Sequence, residues 1–279
     1  GEGDLDVTGF MRAVTAAGYA GPISLEIFND QFRSGLPRMV AKDGHRSLIA
    51  LMDQVRRVEP AAAPDLPPID RALYETVTDR AALIGAANTL IFRPDGRLHA
   101  DNTDGYGFVA NLRQNAPDWQ ADAGPAALIG AGGAARAVVA SLLDSGVREL
   151  RITNRTRIRS EQIKSEFGAR LVVYDWAQVG NMLDGAATVV NSTSLGMTGK
   201  QPFRVPLDAL SPDAVATDLV YTPLMTPFLT EAQQRGCRVV DGLGMLLHQA
   251  APGFERWFGV RPDIDDALRA EVIANAARA

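Results

Sequence analysis

Apolar positions along this chain fall into two kinds of stretch, short uninterrupted runs and longer segments with helical spacing, and their alternation predicts an α/β fold. The clearest run is Ala126–Ile129, the kind of segment that a parallel strand buries on both faces. Gly130, Gly132 and Gly133 follow at once, where a strand must turn sharply into a helix. Residues 134–143 are helix formers without an interior breaker, and Ser145-Gly146 is a stop signal. A second strand is predicted at Leu150–Thr153, and further strands at 187–190 and 214–220, with a helix starting near Leu243.

Upstream the pattern changes. Phe10, Met11, Val14 and Ala17 have helical spacing, residues 22–28 read as a buried strand carrying Glu26, and residues 39–58 form an amphipathic helix through Leu48, Leu51, Met52 and Val55. Residues 59–68 contain Pro60, Pro64, Pro67 and Pro68 and read as a stiff linker. After it, 69–84 is predicted as a helix leading to a strand within 85–92. A turn at Pro94-Asp-Gly96 then leads to a second strand at 98–101, giving a hairpin. The polar, glycine-rich segment Asp101-Asn-Thr-Asp-Gly-Tyr-Gly107 precedes a helix from Phe108, a strand-to-helix position where α/β proteins place functional residues. A helix-capping role for Thr103 and Asp104 is the structural alternative.

The glycine turn carries the first chemical inference. Bare backbone at Gly130, Ala131, Gly132, Gly133 and Ala134 lets N–H groups approach a phosphate at a helix N-terminus. Asn154, Arg155 and Thr156 stand ~20 residues further on, where a dinucleotide fold reads the ribose. An acid there would bind a free 2′-hydroxyl, whereas Arg155 suits a 2′-phosphate, so the pattern selects NADP over NAD, with Arg157 as a second candidate cation. A phosphate-free βαβ unit with a solvated basic turn is the alternative.

Composition narrows the function classes. The chain is 46% hydrophobic and 22% charged with net charge −5, as in a soluble globular protein and without the basic stripe of a nucleic-acid binder. No apolar run has the length of a membrane span and no signal peptide opens the chain, so neither nucleic acid nor membrane is expected as a partner. The single cysteine, Cys237, excludes an internal disulfide, fits a cytoplasmic setting and reads as a buried thiol. His45, His99 and His248 are too scattered to form a metal cluster, and no metal site is expected.

Seven segments together resemble the shikimate dehydrogenase family: Gly85-Ala-Ala-Asn-Thr-Leu90, Asp101-Asn-Thr-Asp-Gly105, Gly130-Ala-Gly-Gly-Ala134, Asn154-Arg-Thr156, Asn191-Ser-Thr-Ser-Leu-Gly-Met197, Asp218-Leu-Val-Tyr221 and Gly242-Leu-Gly-Met-Leu-Leu-His-Gln249. The resemblance covers residues 70–279. It implies NADP-dependent interconversion of 3-dehydroshikimate and shikimate by a monomer or homodimer. The implied fold is a Rossmann-type doubly wound domain over 122–242 beside a smaller, incomplete substrate domain over 69–121 joined by 243–279, with the substrate in the cleft between them. By the same resemblance Asn88 and Asp104 hold substrate hydroxyls, Asp104 is half of an acid–base pair, Tyr221 reaches the substrate carboxylate, and Gln249 bonds the substrate. Thr193, Leu219 and Gly242 then line the nicotinamide side. Read without the family, Asn191-Ser-Thr-Ser194 is a Ser/Thr turn, Tyr221 a core tyrosine and Gln249 a surface residue.

Residues 1–58 resemble instead the last part of a TIM barrel of the sugar-phosphate isomerase or 3-dehydroshikimate dehydratase type. In such barrels an acid placed like Glu26 binds a metal, but one strand cannot close a barrel and a metal site at Glu26 is not expected. The serine pair and Val-Thr-x-Pro-x-Lys segment of the dehydrogenase family do not occur in this sequence. Its three lysines, Lys42, Lys164 and Lys200, stand in other contexts. Impaired turnover is therefore expected. The alternatives are a non-catalytic NADP-binding module and a fragment of a bifunctional dehydratase/dehydrogenase.

Overall fold

The computed structural model describes residues 76–92 and 98–276, so the readings made for residues 1–58, the linker 59–68, Glu26, Lys42 and the turn at 94–96 lie outside the described residues. Two compact units emerge. Of the described residues, the smaller comprises 76–92, 98–102 and 253–261; the larger comprises 103–252 and 262–276.

In the larger unit, parallel strands form a six-stranded sheet of order β6-β5-β4-β7-β8-β9. They are β4 (Ala126–Ile129), β5 (Leu150–Thr153), β6 (Leu171–Tyr174), β7 (Thr188–Asn191), β8 (Val215–Asp218) and β9 (Arg238–Val240). Every residue of β4, β7 and β8 is buried, which explains the unbroken apolar run of β4 and the apolar residues of β7 and β8. Alternate side chains supply two cores. Leu128, Ile152 and Val190 pack with Val138 and Leu142 of the helix Gly133–Asp144, whereas Ala127, Ile129, Val189 and Ala216 pack with Phe228 and Leu229 of the helix Pro227–Gln234. Helices on both faces and the reversal of strand order beside β4 make this a doubly wound sheet.

Helices of the described residues are α1 (Asp79–Ile84), α2 (Asp104–Asn115), α3 (Gly133–Asp144), α4 (Arg157–Phe167), α5 (Val179–Met182), α6 (Pro227–Gln234), α7 (Leu243–Phe258) and α8 (Asp266–Ala276). Among these, none is long and apolar enough to cross a membrane. Cys237 is buried, and its Sγ lies 3.2 Å from the Ser211 carbonyl oxygen.

The smaller unit contains β1 (Thr76–Val77), β2 (Thr89–Phe92) and β3 (Leu98–Asp101) in the order β1-β3-β2. The expected hairpin is β2 against β3, antiparallel, with Thr89 opposite Asp101. Part of the expected helix 69–84 is not helical. Thr76 and Val77 instead pair parallel with His99 and Ala100, and Thr78 caps α1 by accepting the Ala81 N–H at 3.1 Å. Two β-branched residues followed by a threonine cap favour this division over one continuous helix.

The helix expected from Phe108 begins earlier, at Asp104. Gly105 and Gly107, which look like breakers in sequence, are contact points instead. A Cβ on Gly105 would lie 3.1 Å from the Ala137 carbonyl oxygen of α3, and one on Gly107 would lie 2.6 Å from the Met245 carbonyl oxygen of α7. Close helix packing outweighs low propensity here. The strands expected at 187–190 and 214–220 are observed at Thr188–Asn191 and Val215–Asp218, each ending on a polar residue.

Candidate functional site

The C-terminal ends of β4, β7 and β8 lie side by side, with Ile129 in register with Asn191 and Asn191 in register with Asp218. In doubly wound sheets a ligand crevice opens at such a switch in strand order. Gly130 leaves β4 with φ +112°, a conformation that favours glycine, and a Cβ there would lie 2.7 Å from Ser192 Oγ and 2.8 Å from Thr193 Cγ2. The glycine turn and the 191–195 turn therefore touch.

Gly132 occupies the N-cap position of α3 and has no side chain with which to satisfy the helix's first N–H groups. A Cβ at Gly132 would meet nothing within 4 Å. An open, uncapped helix N-terminus facing a sheet crevice fits a pyrophosphate, through its N–H groups and the positive end of the helix dipole. Asn154 braces this turn, with Oδ1 accepting the Ala131 N–H at 3.3 Å and Nδ2 donating to the Thr156 carbonyl at 3.0 Å.

Arg155 is exposed and donates to the neutral Gln201 Oε1 at 3.3 Å; among the described residues it forms no ion pair. Arg157, the second cation suggested by the sequence, is committed elsewhere. It pairs with Asp175 at 2.6 Å and Glu161 at 2.8 Å. Thr156 is the exposed N-cap residue of α4.

Across the crevice, Asn191 and Asp218 are fully buried. Asn191 Nδ2 donates to Asp218 Oδ1 at 2.9 Å, while its Oδ1 accepts from Thr193 Oγ1 at 2.7 Å and from the Thr193 N–H at 3.1 Å. Asp218 also accepts the Val220 N–H at 2.9 Å and the Thr226 hydroxyl at 2.7 Å. Burial pushes its carboxyl up to about 6, against the opposing pull of the Thr226, Val220 and Asn191 hydrogen bonds. Leu219 donates its N–H to the Asn191 carbonyl at 2.9 Å. Tyr221, expected either at the substrate or in the core, is 43% exposed, so it is not a core tyrosine. Gly242 packs closely against this segment: a Cβ there would lie 2.5 Å from the Leu219 carbonyl oxygen.

Asp104 is the first residue of α2, and Gln249 lies on α7, whose backbone crosses α2 at Gly107; a Cβ on Gly107 would sit 2.7 Å from Gln249 Cβ. Both side chains are half-buried. Thr103 holds the N-cap position but its side chain makes no capping bond. His248 Nε2 is 2.8 Å from Gln114 Oε1, tying α7 to α2. Among the described residues, no group of His, Cys, Asp and Glu is arranged to hold a metal ion.

In the smaller unit, Asn88 precedes β2, and its Oδ1 accepts the Thr89 hydroxyl at 3.0 Å. The residue that sequence reasoning passed over is Asp101. It is completely buried at the end of β3, accepts from Arg80 at 2.8 Å to each oxygen, and accepts from Arg256 at 2.7 Å, Thr78 at 2.8 Å and the Asn102 N–H at 2.8 Å. Burial alone would raise its carboxyl; the Arg256, Arg80 and Thr78 hydrogen bonds outweigh that and hold it at about 2.

Strand order, glycine turn and open helix end define a Rossmann-type dinucleotide fold. Comparison with known proteins narrows the class. A model described as Shikimate / quinate 5-dehydrogenase matches residues 113–197, and one described as Shikimate 5′-dehydrogenase C-terminal domain matches 242–270. The shikimate dehydrogenase (NADP(+)) of Paracoccus denitrificans is 78% identical over 203 residues, 73% of this chain and 72% of that protein. That of Cereibacter sphaeroides is 70% identical over 203 residues, 73% of each chain. Among solved structures, shikimate 5-dehydrogenase from Thermus thermophilus in complex with NADP(H) and shikimate superposes with TM-score 0.59 at 37% identity, over 67% of each chain. The enzyme from Listeria monocytogenes in complex with shikimate and NAD gives 0.67 at 26% identity, over 81% of this chain and 82% of that one. This chain belongs to the shikimate dehydrogenase family.

Proposed function

We propose that this chain binds NADP and interconverts 3-dehydroshikimate and shikimate. The observation that carries the reading is the uncapped N-terminus of α3, open at Gly132, with Arg155 exposed at the ribose end of β5. In this reading Gly130 to Ala134 hold the pyrophosphate, and Asn154, Arg155 and Thr156 hold the adenosine 2′-phosphate. Thr193, Leu219 and Gly242 flank the nicotinamide. A hydrogen bond to a charged group contributes roughly 1.5–3 kcal/mol, enough for one to two decades of preference for the phosphorylated dinucleotide. Bound NADPH supplies a hydride to the substrate carbonyl.

The remaining work falls to the chain. Asn88 and Asp104 orient the ring hydroxyls, since a carboxylate accepts two hydrogen bonds from neighbouring hydroxyls. Tyr221, exposed beyond β8, donates to the substrate carboxylate, and Gln249 bonds the substrate from α7. Asp104 forms half of the acid–base pair.

The other half is the lysine of the Val-Thr-x-Pro-x-Lys segment, which this sequence does not contain. Of its lysines, Lys164 lies in the last turn of α4 and Lys200 in an exposed loop. Loss of a positioned acid–base group lowers turnover by about 10²–10⁴-fold, and that inventory favours a second reading, a chain that binds NADP with little turnover.

Two measurements separate these possibilities. Titration with NADPH and NADH should show a preference for NADPH that Arg155→Ala reduces by about one to two decades. An unchanged preference in the variant, or no binding of either dinucleotide, would sink the cofactor reading. Oxidation of NADPH by 3-dehydroshikimate at the rate of an intact family member would dismiss the binding-only alternative.

A further inference from the structure

We propose that Asp218 is the positioning residue of the nicotinamide side, its carboxylate fixing the shape of both the 191–195 turn and the 219–226 segment. The inference rests on the cofactor reading above and assigns a role to a residue that touches neither cofactor nor substrate in that reading.

The case begins with register. Asp218 and Asn191 are paired across the ends of β8 and β7, so their side chains meet at the floor of the crevice. A carboxylate only accepts, so the side of Asn191 facing it must be the amide nitrogen. That choice leaves Asn191 Oδ1 to receive both the hydroxyl and the N–H of Thr193, and Thr193 Oγ1 in turn accepts the Leu195 N–H at 3.1 Å. One buried charge thus dictates an amide orientation, and the amide dictates the turn that abuts Gly130.

On its other side the same carboxylate fixes the Val220 N–H, one residue before Tyr221, and the hydroxyl of Thr226, the N-cap of α6. A backbone bond from the Thr198 N–H to the Thr222 carbonyl at 2.9 Å closes the loop between the two segments. Thr193, Leu219 and Tyr221 therefore take their places from a single group.

Among the described residues, no cation bonds that carboxylate. The titratable side chains on the neighbouring segments are Lys200, Tyr221, Glu231, Arg235, Cys237, Arg238 and Asp241. Glu231 pairs with Arg235, Arg238 reaches the Asn115 carbonyl, and Asp241 pairs with Arg269; none of them bonds Asp218. Its partners are three neutral donors, and a proton on the carboxyl would have to displace one of them. The placement of its ionisation near 6 makes that event reachable in mildly acid solution.

The test is NADP⁺ binding by calorimetry between pH about 7.5 and about 5, comparing the chain with Asp218→Asn. The asparagine mimics the protonated carboxyl: its oxygen can still accept from Asn191 and Val220, but its NH₂ faces the Thr226 hydroxyl and cannot accept from it, and it does not titrate in this range. Because the 2′-phosphate itself titrates near pH ~6, the difference between the two curves is the readout. Wild type should weaken by about tenfold more than the variant over this range, the loss expected for one hydrogen bond at a charged group.

Thr226→Val provides an independent arm. Removing one donor to the carboxylate should move the midpoint of the pH effect upward, and an unmoved midpoint refutes the assignment. Parallel curves for wild type and Asp218→Asn, with NADP⁺ bound, overturn this inference and leave the cofactor reading standing. Absence of NADP⁺ binding at every pH overturns both.

Discussion

Replacing Asp101 by asparagine removes the charge on which the polar centre of the smaller unit converges, and its partners set the size of the effect. In Asp101→Asn one acceptor oxygen becomes an NH₂ group that faces a donor. Breaking a fully buried ion pair costs roughly 3–5 kcal/mol. Here the side chains of Arg80 and Arg256 are 44% and 39% exposed and can turn to water, which lowers the loss. The displacement of the carboxyl from 3.8 to about 2 gives a separate measure of about 2 kcal/mol. Because the folded pKa is depressed, this contribution is fully present above the ordinary value and disappears as pH falls from about 4 to about 2. We therefore expect the smaller unit of Asp101→Asn to be about 2 kcal/mol less stable at neutral pH, with the gap closing over that acid range. Trp257 reports on this unit, since its Nε1 donates to the Leu90 carbonyl at 3.2 Å. Denaturant unfolding followed by its fluorescence, with Trp119 and Trp176 replaced by phenylalanine, measures the gap. A difference below about 0.5 kcal/mol, the range of ordinary surface substitutions, would refute the argument. So would a difference that does not change with pH.

Two further outcomes follow from the larger unit. Gly130→Ala combines a φ of +112° with a Cβ 2.7 Å from Ser192 Oγ, so it should cost about 1–3 kcal/mol and weaken NADPH binding; a stable variant with unaltered affinity would contradict the described turn. For Asp218 the sign is opposite to that of Asp101. Its raised pKa means the folded state takes up a proton before the unfolded chain does. Stability should therefore fall by about 3 kcal/mol as pH rises from about 4 to about 6, a slope absent from Asp218→Asn in pH-dependent thermal melts.

Legibility in the sequence followed the range of the interactions. Ala126–Ile129 and the glycines after it are readable because a doubly buried strand and a bare turn are local demands on composition. The strands at Thr188–Asn191 and Val215–Asp218 were harder to end, since their last residues are polar yet buried. Asn191 and Asp218 satisfy each other across the register, and an apolar pattern cannot announce such a pair. A signal did exist: two apolar strands each closing on a residue able to donate to, or accept from, the other. Asp101 had no such signal. It looks like one more acid in an acidic turn, and its guanidinium partners lie 21 and 155 residues away. The commitment of Arg157 was half readable, because Glu161 stands one helical turn beyond it. Gly105 and Gly107 misled for the opposite reason, their use being set by α3 and α7 rather than by α2 itself.

Asp101 and Asp218 make a natural comparison. Both are completely buried, and burial pushes both carboxyls upward. Two guanidiniums reverse that push at Asp101, so its charge stabilises the folded chain. Three neutral donors only moderate it at Asp218, so its charge there costs stability at neutral pH. A protonated acid or an asparagine in that place would cost the fold less. What either would give up is the ability to accept from every neighbour at once, and that ability is what orients Asn191, Thr193 and the Val220 backbone together. A charge that is expensive for folding yet organises the Asn191, Thr193 and Val220 groups at the ends of β7 and β8 is better explained by the work of that end than by the stability of the chain.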